Sequence, residues 1–446
     1  MTHQIELDFS KDPELEPEIR QTDNLKSSSP DNNSEPALRT VLFLQTDWEM
    51  GSCRLARQMR SHGHEVFKVA FHSADYYFRL WAVPVSPYRG KVETWKNWLK
   101  AHSEENGIDT YVLYNNKRTY NAIAEELADE LGIEVITLEQ GLIRPLHVTA
   151  YSTKQQPLEE IPELWQRSLS GNWIPEGYPT IPHQKVPVSS AYKFLRFGFF
   201  GMISALTRPL FPNYREQQQM GLLFHAKAQL RSLWRLLKSA SNDRKIQSLI
   251  SKDWERDFFL VPLQVPYDKQ ILLHSEFSDM NEFINKVAES FEREAGSNQK
   301  LIFKIHPVDR GYRDYTATIT ELKQRLGNDR IHLIDRVNLD QLLENAQGVV
   351  TINSTLGLTA LRHGTPVKAL GQAIYDLKEL TFRSSLDNFW KSKNRPCMDT
   401  VQLFVKVLES TIQGRGTLSR RCFTDAEETG IIWPKNICNI FDFREY

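Results

Sequence analysis

Short apolar runs rich in β-branched and aromatic residues recur along most of this 446-residue chain, and helical patterns separate them. Such runs predict buried strands, and strands that alternate with helices are typical of parallel, doubly wound sheets. The sequence therefore predicts the α/β fold class, with two Rossmann-like domains that face a cleft. The predicted strands are Thr40–Gln45, Glu65–Phe71, Thr110–Tyr114, Glu134–Leu138, Phe258–Leu263, Leu301–Ile305, Ile331–Ile334, Val349–Ile352 and Pro366–Leu370.

The domain division follows from changes in composition along the chain. Residues 1–38 are rich in Glu, Asp, Ser, Asn and Pro and poor in aromatic residues, which predicts a disordered tail. The first Rossmann-like domain is predicted at 39–190, and its last part, Tyr151–Pro187, is interpreted as a proline-rich connection. A connecting segment at 191–250 then leads to the second Rossmann-like domain at 251–446.

The connecting segment is unusual because it is both apolar and basic. Phe194–Phe211 is strongly apolar, but Arg196 and Arg208 leave only eleven residues between them, too few to span a bilayer. His225–Lys245 predicts an amphipathic helix that could lie among the headgroups of an anionic membrane. The alternative is a connecting helix whose apolar side is core and whose basic side is solvated. The basic side carries Lys227, Arg231, Arg235 and Lys238, and the apolar side carries Leu230, Leu233, Trp234 and Leu237.

Charge and cysteine content exclude several classes of protein. The 55 Lys and Arg residues nearly balance the 56 Asp and Glu residues, so no overall field favours nucleic acid. The four cysteines form no CxxC pair, which indicates neither a zinc site nor a disulfide framework and fits a reducing cytosol. Neither a signal peptide nor a run of about 20 apolar residues is visible. We expect a soluble protein, or one that rests on a membrane.

A candidate anion site lies directly after the strand Val349–Ile352. The polar turn Asn353–Ser354–Thr355 leads into the predicted helix Leu356–Arg362, where backbone N–H groups and the positive end of the helix dipole suit a phosphate. Gly357 would keep the first helical turn bare enough for a ligand to approach. The alternative interpretation is that Ser354 only caps the helix.

A second polar turn follows the strand that ends at Ile305. In open α/β sheets, ligands bind beyond the carboxyl ends of strands, where His306 could donate to a phosphate and Pro307 would fix the chain direction. A structural histidine is the alternative. We include Lys304 and Asn353 with these residues in the candidate nucleotide-binding set.

The first domain offers candidate acids at its strand ends. Glu139 precedes Gln140 and Gly141 directly after the strand Glu134–Leu138, and Arg144 follows. Its carboxylate could act as a general base or nucleophile, with Arg144 orienting it or holding an anionic substrate. Asp75 lies after another strand and is a similar candidate. Either acid could instead be an ordinary turn residue.

The sequence resembles the capsule polysaccharide synthesis family, in particular its KpsS/LipB-like transferases of 3-deoxy-manno-octulosonic acid (Kdo). The resemblance extends from about Thr40 to about Trp390. Several long motifs carry it: Phe259–Ser275, Lys304–Gly311 and Gly348–Leu380, with support from Glu139–Pro145, Phe211–Arg215 and Ser385–Trp390.

The resemblance implies an architecture similar to the GT-B glycosyltransferases and a reaction with CMP-Kdo as donor. The acceptor would be a phosphatidylglycerol-type lipid at the inner membrane face, and the product would start the β-Kdo linker. His306, as an imidazolium, and the pair Ser354–Thr355 would hold the CMP phosphate. The acidic motif falls on Glu139–Gly141 and its arginine on Arg144, which makes the first domain the acceptor and catalytic domain.

The resemblance also implies the cellular setting. We expect a cytoplasmic protein peripheral to the inner membrane, with capsule synthesis and ABC-export proteins as further partners. No cofactor and no metal are expected, because CMP departs as a monophosphate and no Asp-x-Asp motif is visible where it would be expected. If the β-linkage is kept, Glu139 or Asp75 would serve as nucleophile through a covalent intermediate, and a neighbour would do the acid–base work.

Three amides depart from the pattern of the resembling proteins. Relatives often carry an acid where this chain has Gln140, and they tend to have an Asp and a His where it has Asn116 and Asn121. An amide cannot take up a proton at neutral pH. Two alternatives therefore stay open: a glycosyltransferase that uses another nucleotide sugar, or a non-catalytic component of capsule assembly or export.

Overall fold

A computed structural model describes residues 37–46, 50–154, 157–178, 202–204, 206–214, 222–265, 275–307, 309–418 and 429–441. Apart from its last two residues, the predicted tail 1–38 lies outside the described residues. So does most of the apolar run Phe194–Phe211, of which only the part from Met202 onward is described, without residue 205.

The first sheet has seven strands in the order β12-β6-β5-β4-β1-β2-β3. Strands β1 to β5 pair in parallel, whereas β6 pairs antiparallel with both β5 and β12. The four strands predicted in this half are confirmed as β1, β2, β4 and β5, and β3, β6 and β12 were not predicted. The bounds are β1 Thr40–Phe43, β2 Glu65–Ala70, β3 Val85–Pro87, β4 Thr110–Tyr114, β5 Glu134–Gln140, β6 His147–Ser152 and β12 Gln413–Arg415.

The second sheet has five strands, all parallel, in the order β11-β10-β7-β8-β9. All five strands predicted in this half are confirmed, and each contains buried apolar residues. The α/β class with two Rossmann-like sheets is therefore confirmed. The bounds are β7 Phe258–Pro262, β8 Lys300–Lys304, β9 Ile331–Ile334, β10 Gly348–Thr351 and β11 Val367–Ala369.

Helices cover both sheets. Short 3₁₀ helices lie at Ser73–Trp81, Arg208–Leu210 and Asp309–Gly311. The α-helices are α1 Met50–Ser61, α2 Val92–Glu105, α3 Thr119–Leu131, α4 Pro157–Leu169, α5 Leu222–Lys252, α6 Met280–Glu294, α7 Thr316–Leu326, α8 Leu339–Asn345, α9 Thr355–Arg362, α10 Leu386–Phe389, α11 Met398–Thr411 and α12 Lys435–Phe441.

Helix α4 lies where a proline-rich connection was expected, so that interpretation is wrong for this stretch. Ile161 and Trp165 are fully buried on one side of the helix, and the Trp165 ring meets the Phe404 ring edge to face at 5.4 Å. Pro162 is tolerated inside the helix. The burial of these large side chains in the core beside the second sheet outweighs the low helix propensity of proline.

The end of the chain returns to the first sheet. Strand β12 pairs with β6, and α12 packs into the apolar core that contains Val41 and Leu138. The guanidinium of Arg54 in α1 donates to the carbonyl of Leu418 at 3.0 Å. This return departs from the predicted division, which assigned all of 251–446 to the second domain.

The loop between β5 and β6, together with the start of β6, contacts helices α9 and α11. Nη1 of Arg362, at the end of α9, donates at 2.9 Å to the carbonyl oxygen of Arg144, which lies between β5 and β6. Nε2 of His147 lies 3.0 Å from Oε1 of Glu409 on α11. These contacts place the loop after β5 and the start of β6 beside helices α9 and α11.

Candidate active site

The turn after β10 is ordered by hydrogen bonds to neighbouring loops. Ser354 is the N-cap of α9, since its Oγ accepts from the backbone N–H of Leu356 at 3.2 Å. The side chain of Gln264 forms two hydrogen bonds with Asn353. Its Nε2 donates to Oδ1 of Asn353 at 2.9 Å, and its Oε1 accepts from the backbone N–H of Asn353 at 3.2 Å. Ser354 therefore caps α9, and a role for it in binding a phosphate stays a prediction.

Gln264 was missed by the sequence reasoning. It follows β7, the strand beside β10, so its place at the carboxyl edge obeys the same rule that singled out His306 and Ser354. The signal was a polar residue directly after the strand Phe258–Leu263. We overlooked it because the turn there has neither a hydroxyl pair nor a histidine.

The structure gives a different reason for a glycine at position 357 from the one predicted. A Cβ at this position would lie 2.2 Å from Oη of Tyr375, so the tyrosine ring fills the space that was expected to admit a ligand. Tyr375 is buried, and its hydroxyl donates to the carbonyl of Ser354 at 2.5 Å. Gly357 is therefore required for packing, and a ligand must approach the turn from the side of Ser354 and Thr355.

His306 lies at the end of β8 in an environment that disfavours its charged form. Burial lowers its pKa to about 4, and the nearby charges of Lys304 and Arg144 contribute in the same direction. The imidazole is therefore neutral at pH 7 in the free protein, and an imidazolium beside a CMP phosphate stays a prediction. A neutral ring still donates one N–H, and the two cations beside it favour an anion at this position.

A charge network holds the turn that follows Pro307. Arg310 pairs with Asp335, with Nη2 at 2.6 Å from Oδ1, and the carboxylate of Asp243 on α5 accepts the backbone N–H groups of Asp335 at 3.1 Å and Arg336 at 3.0 Å. Burial lowers the pKa of Lys304, while the charge of Asp335 opposes that effect. Because Asp335 neutralises Arg310, Lys304 and Arg144 supply the positive charge nearest to His306.

On the first sheet, Glu139 lies half-buried at the end of β5, paired in register with Thr149 of β6. Burial raises the pKa of the Tyr151 phenol, and the charges of Glu139 and Glu125 raise it further. The charges of both carboxylates thus act on the same hydroxyl. Glu125, on α3, is a second acid beside Glu139 that the sequence reasoning missed, because only the packing of α3 on β5 brings it there.

The amides that depart from the pattern of the resembling proteins have structural partners. Nδ2 of Asn121 donates to the carbonyls of Tyr114 at 3.1 Å and Asn115 at 3.0 Å. Nδ2 of Asn116 donates to Oε1 of Glu125 at 3.2 Å. These contacts give both amides a structural role, and their effect on catalysis stays a prediction.

Gln140 supports Arg144. Its Oε1 accepts from Nη2 of Arg144 at 2.9 Å, and the side chain of Arg144 is exposed. A carboxylate at position 140 would neutralise this guanidinium. The neutral amide orients Arg144 and leaves its charge to act on the space beside His306.

Asp75 is engaged in a buried ion pair. Its Oδ1 lies 3.1 Å from Nζ of Lys68, and its Oδ2 accepts the backbone N–H groups of Phe71 at 2.8 Å and His72 at 3.2 Å. Despite burial, these partners lower the pKa of Asp75. The carboxylate compensates a fully buried lysine, which gives it a structural role, and a catalytic role for Asp75 stays a prediction.

The predicted basic helix is the first part of α5, and its apolar side does not form core. Leu230, Leu233, Trp234 and Leu237 are between 54% and 70% exposed. The interpretation that these four residues belong to the core is therefore wrong, whereas Ile246 and Ile250, later in the same helix, are buried.

Two absences hold only for the part of the chain that the structure describes. Within it, no helix has the length and apolarity needed to cross a bilayer. The same residues contain no group of three or more His, Cys, Asp or Glu side chains placed to hold a metal ion. The expectation that the protein needs no metal stays a prediction.

Comparison with known sequences decides the family. The profile of the family described as "Capsule polysaccharide biosynthesis protein" matches residues 109–418, well over half of the chain. This chain belongs to the capsule polysaccharide biosynthesis protein family. The match includes Glu139, Arg144, His306 and the turn at Ser354, whereas the candidate acid Asp75 lies before the matched region.

Two relatives in this capsule biosynthesis family match over most of their length. "Capsule polysaccharide export protein KpsS" of Escherichia coli is 28% identical over 78% of this chain and 89% of its own. "Capsule polysaccharide modification protein LipB" of Neisseria meningitidis serogroup A is also 28% identical, over 82% of this chain and 87% of its own. Among solved structures, the "KpsC, beta Kdo 2,7 transferase" of Thermosulfurimonas dismutans is 14% identical with a TM-score of 0.36, covering 83% of this chain and 98% of that one. A TM-score this low supports no argument about function.

Proposed function

We propose that this capsule biosynthesis protein is a glycosyltransferase that transfers Kdo from CMP-Kdo to a phosphatidylglycerol-type lipid and so starts the β-Kdo linker. The observation that carries the proposal is that the charge of Arg144, from the loop after β5 of the first sheet, acts on His306, from the loop after β8 of the second sheet. The candidate acids lie on one side of this meeting point and the candidate phosphate-binding residues on the other. The reaction would take place at the cytoplasmic face of the inner membrane.

The donor side suits the phosphate of a CMP-sugar. Departure of CMP leaves negative charge on the phosphate, and preorganised donors with nearby cations stabilise such charge. His306 would donate its N–H, Lys304 and Arg144 would supply positive charge, and Ser354 and Thr355 would offer hydroxyls at the N-terminus of α9. These groups stabilise a leaving monophosphate directly.

On the acceptor side, Glu139 would be the nucleophile. If the β-linkage is kept, its carboxylate attacks the anomeric carbon of Kdo, the bond to the phosphate oxygen breaks, and CMP leaves with the electron pair. The acceptor hydroxyl then displaces Glu139 and gives its proton to a neighbouring base. Glu125 is the acid we assign to that base, because its charge acts on the Tyr151 hydroxyl together with the charge of Glu139.

The test is turnover of CMP-Kdo with a fluorescent phosphatidylglycerol acceptor. Glu139→Gln should abolish the product while CMP still protects the fold against heat, and His306→Ala should lower kcat by roughly a hundredfold to a thousandfold. Glu126→Gln is the matched control for both glutamates, because Glu126 is exposed on the same helix as Glu125. Full turnover by Glu139→Gln would refute the proposed nucleophile.

The two alternatives make different predictions in the same experiment. A transferase for another nucleotide sugar would be protected against heat by UDP but not by CMP. A non-catalytic component of capsule assembly would bind CMP without turnover, and Glu139→Gln would then change nothing measurable. Protection by CMP together with a lipid product that depends on Glu139 favours the leading proposal over both.

A further inference from the structure

Helix α5 carries an exposed apolar stripe formed by Leu230, Leu233, Trp234 and Leu237. Successive residues of an α-helix are rotated by about 100° around the helix axis, so these four side chains fall within an arc of roughly 100° around that axis. The buried residues of the helix, Ala228, Asp243, Ile246 and Ile250, lie on nearly the opposite side. The stripe therefore faces away from the protein, with three leucines and a tryptophan in contact with solvent.

Basic residues flank this stripe. Lys227, Arg231 and Lys238 are exposed and lie along one side of it, and Nζ of Lys238 lies 5.0 Å from the centre of the Trp234 ring. The sequence from Leu222 to Asn242 contains no acidic residue. Apolar side chains beside cations of one sign are complementary to a bilayer surface with anionic headgroups.

The opposite side of α5 holds the turn that follows His306. Arg235 donates to the carbonyl of Arg310 at 2.7 Å and pairs with Asp314 at 2.8 Å. A Cβ on Gly311 would lie 2.0 Å from the carbonyl of Ala228, so the turn packs directly on the helix backbone. The same helix thus carries the exposed stripe on one side and a candidate donor-binding loop on the other.

We propose that α5 docks on an anionic lipid bilayer, with Leu230, Leu233, Trp234 and Leu237 inserted below the headgroups and the flanking cations binding headgroup phosphates. This inference deepens the proposed function and rests on it for the lipid acceptor, because docking through α5 would bring the candidate site to the acceptor's surface. Amphipathic helices with basic flanks bind in this way and depend on anionic lipid.

The test is flotation of the full chain with vesicles of phosphatidylcholine alone and of phosphatidylcholine with about 30% phosphatidylglycerol, at physiological salt. We expect binding only to the second kind. Trp234→Glu/Leu237→Glu should weaken binding by at least roughly a hundredfold, since it removes apolar insertion and adds negative charge. Lys227→Gln/Lys238→Gln should weaken it by about fivefold for each lysine. The matched control is Leu80→Glu, which places the same charge at a leucine that is 75% exposed on another element.

Three results would overturn the docking surface. The first is vesicle binding that is independent of lipid charge, and the second is unchanged vesicle binding by Trp234→Glu/Leu237→Glu. The third is a change in the sedimentation of that variant without lipid, which would make the stripe a contact between two copies of this chain. Turnover with a water-soluble glycerophosphoglycerol acceptor separates this inference from the proposed function. Normal turnover of the soluble acceptor by a variant that no longer binds vesicles supports both the docking surface and the proposed function. Vesicle binding without turnover on any acceptor refutes the proposed transferase activity and still supports the docking surface.

Discussion

His306 is neutral in the free protein, and binding of CMP should change that. A pKa of about 4, against 6.5 for an ordinary histidine, means that protonation of His306 costs about 3 kcal/mol more than in water. A phosphate charge about 4 Å from the ring would contribute about 4 kcal/mol in the opposite direction at an effective dielectric constant near 20. The two effects nearly cancel, so we expect CMP to raise the pKa of His306 above 6.

The measurement is an NMR titration of histidine ring carbons in the full chain, with and without CMP, with the His306 signal assigned through His306→Gln. His332 is an internal control because burial also lowers its pKa to about 4. It pairs in register with Ile302, four residues before His306 and so about 13 Å away along the strands. CMP should therefore leave the pKa of His332 unchanged.

Two substitutions can separate the causes that lower the pKa of His306 in the free protein. Lys304→Met and Arg144→Met should each raise the pKa of His306 in the free protein, but only in part, because burial is the largest cause and stays. Two results would refute this reasoning: a free pKa near 6.5, or equal shifts of His306 and His332 on addition of CMP. The first would mean that the ring is solvated, and the second that CMP acts on the whole chain.

Three further predictions concern stability, each measured by urea denaturation. Gly357→Ala should destabilise the fold by about 1–3 kcal/mol, because the new methyl group collides with Tyr375, and an unchanged midpoint would mean that the ring moves aside freely. Asp75→Asn should cost about 3–5 kcal/mol, because it leaves the buried charge of Lys68 unpaired, and lost turnover at full stability would point to catalysis instead. The wild-type protein should lose stability as the pH falls from 6.5 towards 4, because the pKa of His306 is lower in the folded than in the unfolded chain, and the unfolded chain therefore takes up the proton first. His306→Gln should reduce this loss of stability. An identical pH dependence in wild type and variant would contradict the low pKa.

The strands that the sequence predicted correctly are those whose own residues carry the signal. Val349 to Thr351 are β-branched and buried, and their pattern depends on no other part of the chain. Strand β12 reads Gln413–Gly414–Arg415, which has no apolar pattern. Its place is set by contacts with distant residues, such as Oε1 of Gln413, which accepts from the backbone N–H of Leu142 at 2.8 Å. No local pattern predicts a strand of this kind.

The candidate site divides in the same way. His306 and Ser354 were found because a polar residue after a buried strand is visible in the sequence. Glu125 was missed because its closeness to Tyr151 depends on how α3 packs on β5. The role of Gly357 was misjudged because Tyr375, eighteen positions later, fills the space beside it. Strand order and helix packing decide such neighbours, and neither can be deduced from one segment.

The amides that departed from the resembling pattern are best understood through charge. An acid at position 140 would lie beside Arg144 and cancel its charge, and the guanidinium would then contribute little to the low pKa of His306. With Gln140, Arg144 and Lys304 both act on the same imidazole, and their combined positive potential favours an anion beside that ring. The amide of Asn121 donates instead to two backbone carbonyls. The amide at position 140 therefore leaves positive charge beside His306, which the proposed anionic donor requires.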